Sequence, residues 1–267
     1  MGAGQVGGEK DGGEKSVSPE IQIRPLCEHA EFDRCAEVQD TVWSYEPSAR
    51  MSQKAFLLAT QIGGQVLGAF SGKTMVGYAM SLPGVRNGHA YLHSHHLAVL
   101  PEWRNAGIGR RLKLAQRDDA LARGFALIEW TFDPLEIKNA HLNIAKLGAI
   151  ARRYRRDFYG PTTSPLQGGL PTDRLVAEWW LTSDRVERIL RDLQPVAHIE
   201  LQVDVPAAIY EWKALPERRE AARSLQAANA DALESAFARG LAVLGYRRNE
   251  RGDGSFLLGK WNEDFSY

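Results

Sequence analysis

Two closely spaced glycines and a preceding arginine form the part of the chain best suited to bind a phosphate group. Gly107 and Gly109 follow Arg104, where the strand-like run 89–100 passes through a turn at Pro101 into a helix-like segment. The first amides of a helix lack intrahelical partners and carry the positive end of the helix dipole, so they attract anions. Glycine lets an anion approach because it has no side chain. The pattern predicts a phosphate-binding turn, with a turn that serves only packing as the alternative.

The pattern differs from two other phosphate-binding loops. No lysine followed by serine or threonine comes after the second glycine, and Leu112 stands where the dinucleotide fingerprint has its third glycine. Arg110, Arg111 and Lys113 add positive charge in the first helical turns. The run Leu97-Ala98-Val99-Leu100-Pro101, then arginine, two residues, glycine, one residue and glycine, resembles the signature of the GNAT acyltransferase superfamily. This resemblance covers roughly residues 21–183.

The resemblance implies a site for acyl-coenzyme A. In this family the turn holds the diphosphate, and strand amides just before it hold the pantetheine arm and the acyl carbonyl. The arm is expected to enter a gap between the strand ends 97–100 and 128–131, and an asparagine near the start of the following helix is a further family feature. The residues implied for coenzyme A binding are Leu97, Ala98, Val99, Arg104, Asn105, Ala106, Gly107, Ile108, Gly109, Arg110, Asn139 and Asn143.

Acyl transfer from a thioester to an amine also needs a base, because an amine is mostly an ammonium ion at neutral pH. The family often has a glutamate eleven residues before the arginine of the motif, and His93 occupies that position here. Histidine suits the role because it titrates near neutral pH. Glu129, on the neighbouring predicted strand, is the alternative base.

Three histidines in this strand leave other interpretations open. Strand alternation places His93 and His95 on one face and His96 on the other, unless a β-bulge changes the alternation. The alternatives are that all three are structural, or that His93 or His95 acts as the base. A zinc site needs further ligands that no nearby cysteine or aspartate pattern provides, so we predict no metal.

The acid that protonates the departing thiolate is less well marked. In the family it is commonly a tyrosine seven residues after the helix asparagine, but Lys146 and Ile150 occupy the two possible positions. Tyr154 is the nearest candidate, provided that the helix is interrupted near Gly148. The arginines around it indicate either a solvated helix end or a contact with coenzyme A phosphates or a substrate carboxylate.

Composition limits the class of protein. The 267 residues contain 33 Lys and Arg and 33 Asp and Glu, so the formal net charge is zero, which disfavours a nucleic-acid binder that works by general electrostatic attraction. Two cysteines without metal-type spacing indicate reduced thiols. No run is long and apolar enough to span a membrane, and no apolar signal core is present at the N-terminus, so we expect a soluble, cytoplasmic protein.

The elements that must position the site follow from the apolar patterns. Predicted strands are 21–24, 66–71, 75–82, 89–100, 126–132, 175–181, 199–205, 241–246 and 255–261, and predicted helices are 31–45, 52–60, 108–123, 136–152 and 216–239. We expect an α/β (α+β) GNAT fold: a mixed, mostly antiparallel sheet flanked by helices, with a C-terminal β-α-β-β extension. The expected domains are a disordered Gly-rich tail 1–18, an acyltransferase domain 19–183 and an extension 184–267 that packs on the core sheet or continues it.

These observations predict an acyl-coenzyme A dependent N-acyltransferase that acts by direct transfer in a ternary complex. The acyl group is acetyl or another short group such as succinyl, since part of the chain also resembles a branch linked to succinyl transfer onto amino acids. The expected acceptor is the amine of a small molecule, with an amino acid as one candidate, and a homodimer is a candidate assembly. The alternatives are a non-catalytic acyl-coenzyme A sensor and a protein-lysine acetyltransferase.

Overall fold

One sheet of ten strands runs through the part of the chain covered by the computed structural model, which describes residues 20–44, 50–162 and 167–263. The strands are β1 Ile21–Pro25, β2 Gln65–Ser71, β3 Thr74–Arg86, β4 His89–Val99, β5 Leu127–Phe132, β6 Ile150–Arg155, β7 Arg174–Trp180, β8 Leu201–Val205, β9 Leu241–Arg248 and β10 Gly254–Lys260. Their order across the sheet is β1-β2-β3-β4-β5-β7-β6-β9-β10-β8. β4 and β5 are parallel, and the other neighbouring strands are antiparallel.

Helices cover both faces of this sheet. They are α1 His29–Trp43, α2 Gln53–Gln61, α3 Ile108–Ala122, α4 Ile137–Ala140, α5 Asp184–Leu190, α6 Ile209–Ala214 and α7 Arg219–Ala238. α1 and α2 pack against one face of β3 through Tyr78 and Met80, whereas α3 packs against the opposite face around Ala79. We call these the α1 face and the α3 face. The predicted fold, a mixed and mostly antiparallel sheet flanked by helices, is confirmed.

The local sequence explains these elements. Phe32, Cys35 and Val38 recur at helical spacing and form the buried side of α1. β2 is an almost continuous apolar run because helices cover both of its faces. Gly124, in a left-handed conformation with φ 81°, follows the end of α3.

The prediction of one helix over residues 136–152 is wrong. α4 passes into a π-helical turn, His141–Lys146, and the chain then re-enters the sheet as β6. Gly148 makes this break with φ 84°, a conformation that favours glycine, and an added Cβ there would lie 3.2 Å from Val186 Cα. The helices α5 and α6 are also absent from the prediction.

The C-terminal residues continue the sheet. β9 pairs with β6 at Ala151 and Val243, and β10 and β8 follow it. One apolar cluster contains Trp130 and Trp179 together with Leu233 and Val243, so both parts of the chain share a core. Residues 1–18 lie outside the described ranges, and none of the described helices is long and apolar enough to cross a membrane.

Candidate active site

The predicted phosphate turn joins β4 to α3. After a 3-10 turn at Pro101–Trp103, Asn105 and Gly107 have left-handed φ angles of 65° and 74°. α3 then starts at Ile108, and Arg111 N donates to Gly107 O at 3.1 Å. The helical amides before Arg111 therefore have no carbonyl inside the helix to which they can donate. This is the geometry that an anion-binding helix start requires.

Both glycines leave room at the turn. A Cβ on Gly107 would have no heavy atom within 4 Å, and one on Gly109 would meet only Leu97 Cδ2, at 3.8 Å. Arg104 is exposed and donates from Nε to Val99 O at 3.2 Å. Arg110 donates from Nε to Lys146 O at 3.5 Å, which connects α3 to the π-helical turn. The described neighbours thus leave the space before the amides open.

Lys113 does not belong to this charged surface, contrary to the prediction. It is 1% exposed and points from α3 toward the sheet, where Nζ donates to Ser94 Oγ at 2.7 Å. Burial lowers the pKa of its amine well below the ordinary value. The prediction was wrong because it assumed that a lysine in the first turns of this helix is exposed to solvent.

A gap opens between β4 and β5, as the family resemblance implied. Their parallel ladder contains only the pairs Leu92–Ile128 and His93–Glu129. Beyond it β4 continues against β3 as far as Val99, while β5 continues against β7. The predicted gap included residues 128 and 129, but these are paired, so the gap begins at Trp130. Backbone groups of Leu97 and Val99 face the β5 side and have no strand beside them there, whereas Ala98 pairs with Tyr78 of β3.

The two asparagines lie beyond β5 on the helical segment. Asn139 is on α4 and exposed, whereas Asn143 lies in the π-helical turn, is buried and donates from Nδ2 to Asn139 Oδ1 at 3.2 Å. Arg110 contacts the end of the same turn. α3 and this segment therefore approach each other beside the gap.

Tyr154 does not lie near this gap. It is on β6, two strands from β5, and is not on a helix. Its hydroxyl donates to Asp173 Oδ2 at 2.7 Å, and burial together with this hydrogen bond raises the pKa of Tyr154 far above its usual range. The structure therefore does not bring Tyr154 together with His93 and Glu129.

His93 and Glu129 lie side by side on the α1 face, at the end of the ladder. His93 Nδ1 is 3.9 Å from Glu129 Oε1. The same carboxylate accepts hydrogen bonds from Arg86 at 2.7 Å and from Arg153 at 2.6 Å. Burial alone would raise the pKa of Glu129, but the nearby His93 and the hydrogen bonds and charges of Arg86 and Arg153 outweigh burial and lower it to about 2. Glu129 is thus a poor proton acceptor at neutral pH and is placed to orient the imidazole of His93.

A β-bulge changes the side to which the other histidines point. Ser81 pairs with Ser94 and Met80 with His96, so His95 is the extra residue. His96 therefore turns to the α1 face, where its Nδ1 lies 2.9 Å from the Tyr78 hydroxyl and burial lowers its pKa to about 3. His95 is exposed and stacks on His96, and its ring lies 6.3 Å from that of His93. Simple alternation is therefore wrong for His96.

Arginines and glutamates surround His93 on this face. Arg153 also donates to Glu178, at 3.3 Å, and Arg152 donates to the same carboxylate at 3.1 Å. Arg86, Arg152 and Arg153 keep 27–31% of their side chains exposed, whereas the two glutamates keep 4–6%. Arg86 and Arg153 thus both contact Glu129, the carboxylate that lies beside His93. Arg156 is not part of the surface, because it pairs with Asp231 and Glu234 on α7.

Comparisons with known proteins agree with this geometry. Residues 30–147 match the family model described as the acetyltransferase (GNAT) family. The chain carries a GNAT acetyltransferase domain. No curated protein matches the sequence.

Two solved acetyltransferase structures are similar to this chain. A candidate acetyltransferase from Acinetobacter baylyi ADP1 is 15% identical and superposes with a TM-score of 0.51, over 62% of this chain and 95% of that one. The ribosomal-protein-S18-alanine N-acetyltransferase of Escherichia coli is 18% identical, with a TM-score of 0.49 over 61% of this chain and 96% of that one. At 15% identity, the Acinetobacter structure supports only the shared fold. The matched family segment ends at Leu147. It therefore stops before β6 and β7, which carry Arg152, Arg153 and Glu178 of the α1 face.

Two residues of this GNAT site were missed by the sequence analysis. Arg86 follows Pro83 and Gly84, which indicated that β3 ends at Leu82, but β3 continues to Arg86 and delivers it to Glu129. Glu178 was taken as part of an apolar strand. An arginine and a glutamate inside otherwise apolar strands are the signal that could have identified both. Across the described residues, no three His, Cys, Asp or Glu side chains are placed to hold a metal ion.

Proposed function

We propose that the protein is an acyl-coenzyme A dependent N-acyltransferase that transfers acetyl, or another short acyl group such as succinyl, to the amine of a small molecule. The observation that carries this proposal is the open amide turn at the wide end of the β4–β5 gap. An anion site followed by a strand edge with unpaired backbone groups suits a ligand with a diphosphate and an amide-containing arm, which coenzyme A has.

The turn residues 104–110 would hold the diphosphate of coenzyme A. The amides of Ile108, Gly109 and Arg110 donate to it, and Arg104 adds charge at the mouth of the gap. Backbone groups of Leu97 and Val99 would bond the pantetheine amides, because the strand that should satisfy them has diverged. Asn139 and Asn143 border the same gap from the helical side.

The α1 face supplies the acid–base chemistry. His93 takes a proton from the acceptor ammonium, and Glu129 holds the imidazole in position. The neutral nitrogen then bonds to the acyl carbon and the carbon–sulfur bond breaks. The nitrogen loses its second proton to solvent, and the departing thiolate takes up one proton from solvent. An amide of β4 near Leu97 or Ala98 polarises the acyl carbonyl.

The charge of the α1 face favours an acceptor that carries a carboxylate. Arg86 and Arg153 both contact Glu129 beside His93, and each keeps 27–28% of its side chain exposed. Arginine binds carboxylates with paired hydrogen bonds. A small amine with a nearby carboxylate, such as an amino acid, therefore fits better than a lysine side chain of a protein.

Calorimetry with coenzyme A and an assay of thiol release with an amine library test this proposal. Gly109→Ala should weaken coenzyme A binding at least tenfold, because a methyl group stands between the amides and the anion, while the melting temperature stays unchanged or rises slightly. Arg111→Gln is the matched control, because Arg111 lies in the same helical turn but donates to Ile21 O on β1. Absence of coenzyme A binding by the unaltered protein would refute the proposal.

A non-catalytic acyl-coenzyme A sensor is the second candidate. The observation that favours it is the position of Tyr154, which is buried and bonded to Asp173 far from the gap. The thiol assay separates the two functions: binding with background thiol release from acetyl- and succinyl-coenzyme A supports the sensor.

A further inference from the structure

Lys113 is buried where no structural need for a charged group is evident. Its side chain lies on the α3 face, 1% exposed, with Nζ 2.7 Å from Ser94 Oγ and 3.6 Å from the centre of the Trp130 ring. No carboxylate pairs with it among the residues that the structure describes. An apolar side chain would fill the same space at lower free-energy cost, because a buried amine loses its hydration.

The contacts of Lys113 define its place relative to the gap. Ser94 and Trp130 are the residues directly after the last pair of the β4–β5 ladder, His93 and Glu129. Lys113 touches both, so it crosses from β4 to β5 at the narrow end of the gap. The phosphate turn lies at the opposite, wide end, one helical turn earlier on α3. A chain that enters at the turn and runs along β4 therefore ends at Lys113.

The surroundings hold Lys113 firmly in this position. Ser94 Oγ also donates to Gln116 Oε1 at 3.0 Å, and Gln116 is fully buried on the next turn of α3. The Trp130 ring packs in turn against the edge of the Trp179 ring, and the two ring centroids are 6.0 Å apart. The end of the gap is thus a rigid wall of one amine, one hydroxyl and one ring.

We infer that Lys113, held by Ser94 and Trp130, forms the end wall of the acyl pocket and limits the transferred group to short acyl chains. This inference rests on the proposed acyltransferase function. A longer alkyl chain would have to displace the Lys113 amine from its hydrogen bond and pack against it, and both effects disfavour binding. Lys113 is therefore a specificity-determining residue and takes no part in the bond-making step.

The acyl-chain profile tests this inference. Rates are measured with acetyl-, butyryl- and hexanoyl-coenzyme A, and binding of each is measured by calorimetry. Lys113→Ala should raise the ratio of hexanoyl to acetyl kcat/KM at least tenfold, because it removes the wall. Lys113→Met should raise this ratio less than Lys113→Ala does, because it keeps the length of the side chain and loses only the amine and its hydrogen bond to Ser94. Lys54→Ala, an exposed lysine on α2, is the control and should change nothing.

The outcomes distinguish this inference from the function on which it rests. An unchanged chain-length ratio in a folded Lys113→Ala protein that still binds coenzyme A would refute the end wall and leave the acyltransferase proposal intact. Failure of the unaltered protein to bind coenzyme A would instead refute the acyltransferase. If the alanine variant does not fold, Lys113→Val shortens the side chain with less loss of packing. Tighter binding of hexanoyl-coenzyme A by this variant than by the unaltered protein then supports the end wall, and unchanged binding refutes it.

Discussion

The ion pairs of Glu129 make a quantitative prediction about stability and pH. Glu129 keeps only 6% of its side chain exposed and accepts hydrogen bonds from Arg86 and Arg153. Its pKa is about 2 in the folded protein, against 4.5 for the free group. Because the folded pKa is the lower one, the carboxylate stabilises the protein above pH 4.5, and this contribution is lost as the pH falls toward 2.

The magnitude follows from the shift. A difference of 2.5 units corresponds to roughly 3 kcal/mol at neutral pH, at 1.36 kcal/mol per unit. Linkage then gives a loss of about 2 kcal/mol between pH 6 and pH 3. Glu129→Gln cannot ionise, so the free-energy difference of unfolding between the unaltered protein and this variant should narrow by that amount over the same range.

Urea denaturation at pH 6, 5, 4 and 3 measures this difference. The other carboxylates titrate in both proteins and cancel. Glu234→Gln is the matched control, because Glu234 also pairs with an arginine, Arg156, but both side chains are more than 40% exposed. The free energy of unfolding of this variant, relative to the unaltered protein, should therefore change by less than about 1 kcal/mol over the same pH range. A constant Glu129→Gln difference from pH 6 to pH 3 would show that the two arginines do not hold this carboxylate ionised, and would remove the argument that it orients His93.

Three further predictions concern the site and its surroundings. His93→Gln should reduce kcat at least a hundredfold, because it removes the base, whereas coenzyme A affinity measured by calorimetry should stay within about twofold. Tyr154→Phe should lower the free energy of unfolding by about 1–3 kcal/mol, because Asp173 loses a buried donor, and should leave kcat unchanged; a large fall in kcat in a folded variant would restore Tyr154 as the acid. Gly107→Ala should destabilise the protein by about 1–2 kcal/mol in thermal unfolding, since φ is 74° there, and equal stability would contradict the left-handed turn.

The sequence predicts the phosphate turn well because its signals are local. Glycine spacing, a preceding strand and a following helix all lie within one short stretch around Gly107 and depend little on the rest of the chain. The first five strands and the first three helices were predicted for the same reason, with ends that differ by a few residues.

The parts of the site that were not predicted depend on long-range contacts. Arg86 and Arg153 meet at Glu129 only because β3, β5 and β6 are brought into one sheet. The burial of Lys113 depends on the neighbouring Trp130, and helical periodicity alone does not choose between a surface and a buried lysine. The bulge at His95 inserts a single residue that alternation does not indicate.

The apolar cluster that joins Trp179 to Leu233 and Val243 has a consequence for how the molecule comes apart. The matched family segment ends at Leu147, yet its interior is completed by side chains from the last third of the chain. Heating should therefore give one calorimetric transition for the described residues, with equal van't Hoff and measured enthalpies. A shortened protein that stops at the family boundary would expose this interior to water, and such surfaces promote aggregation.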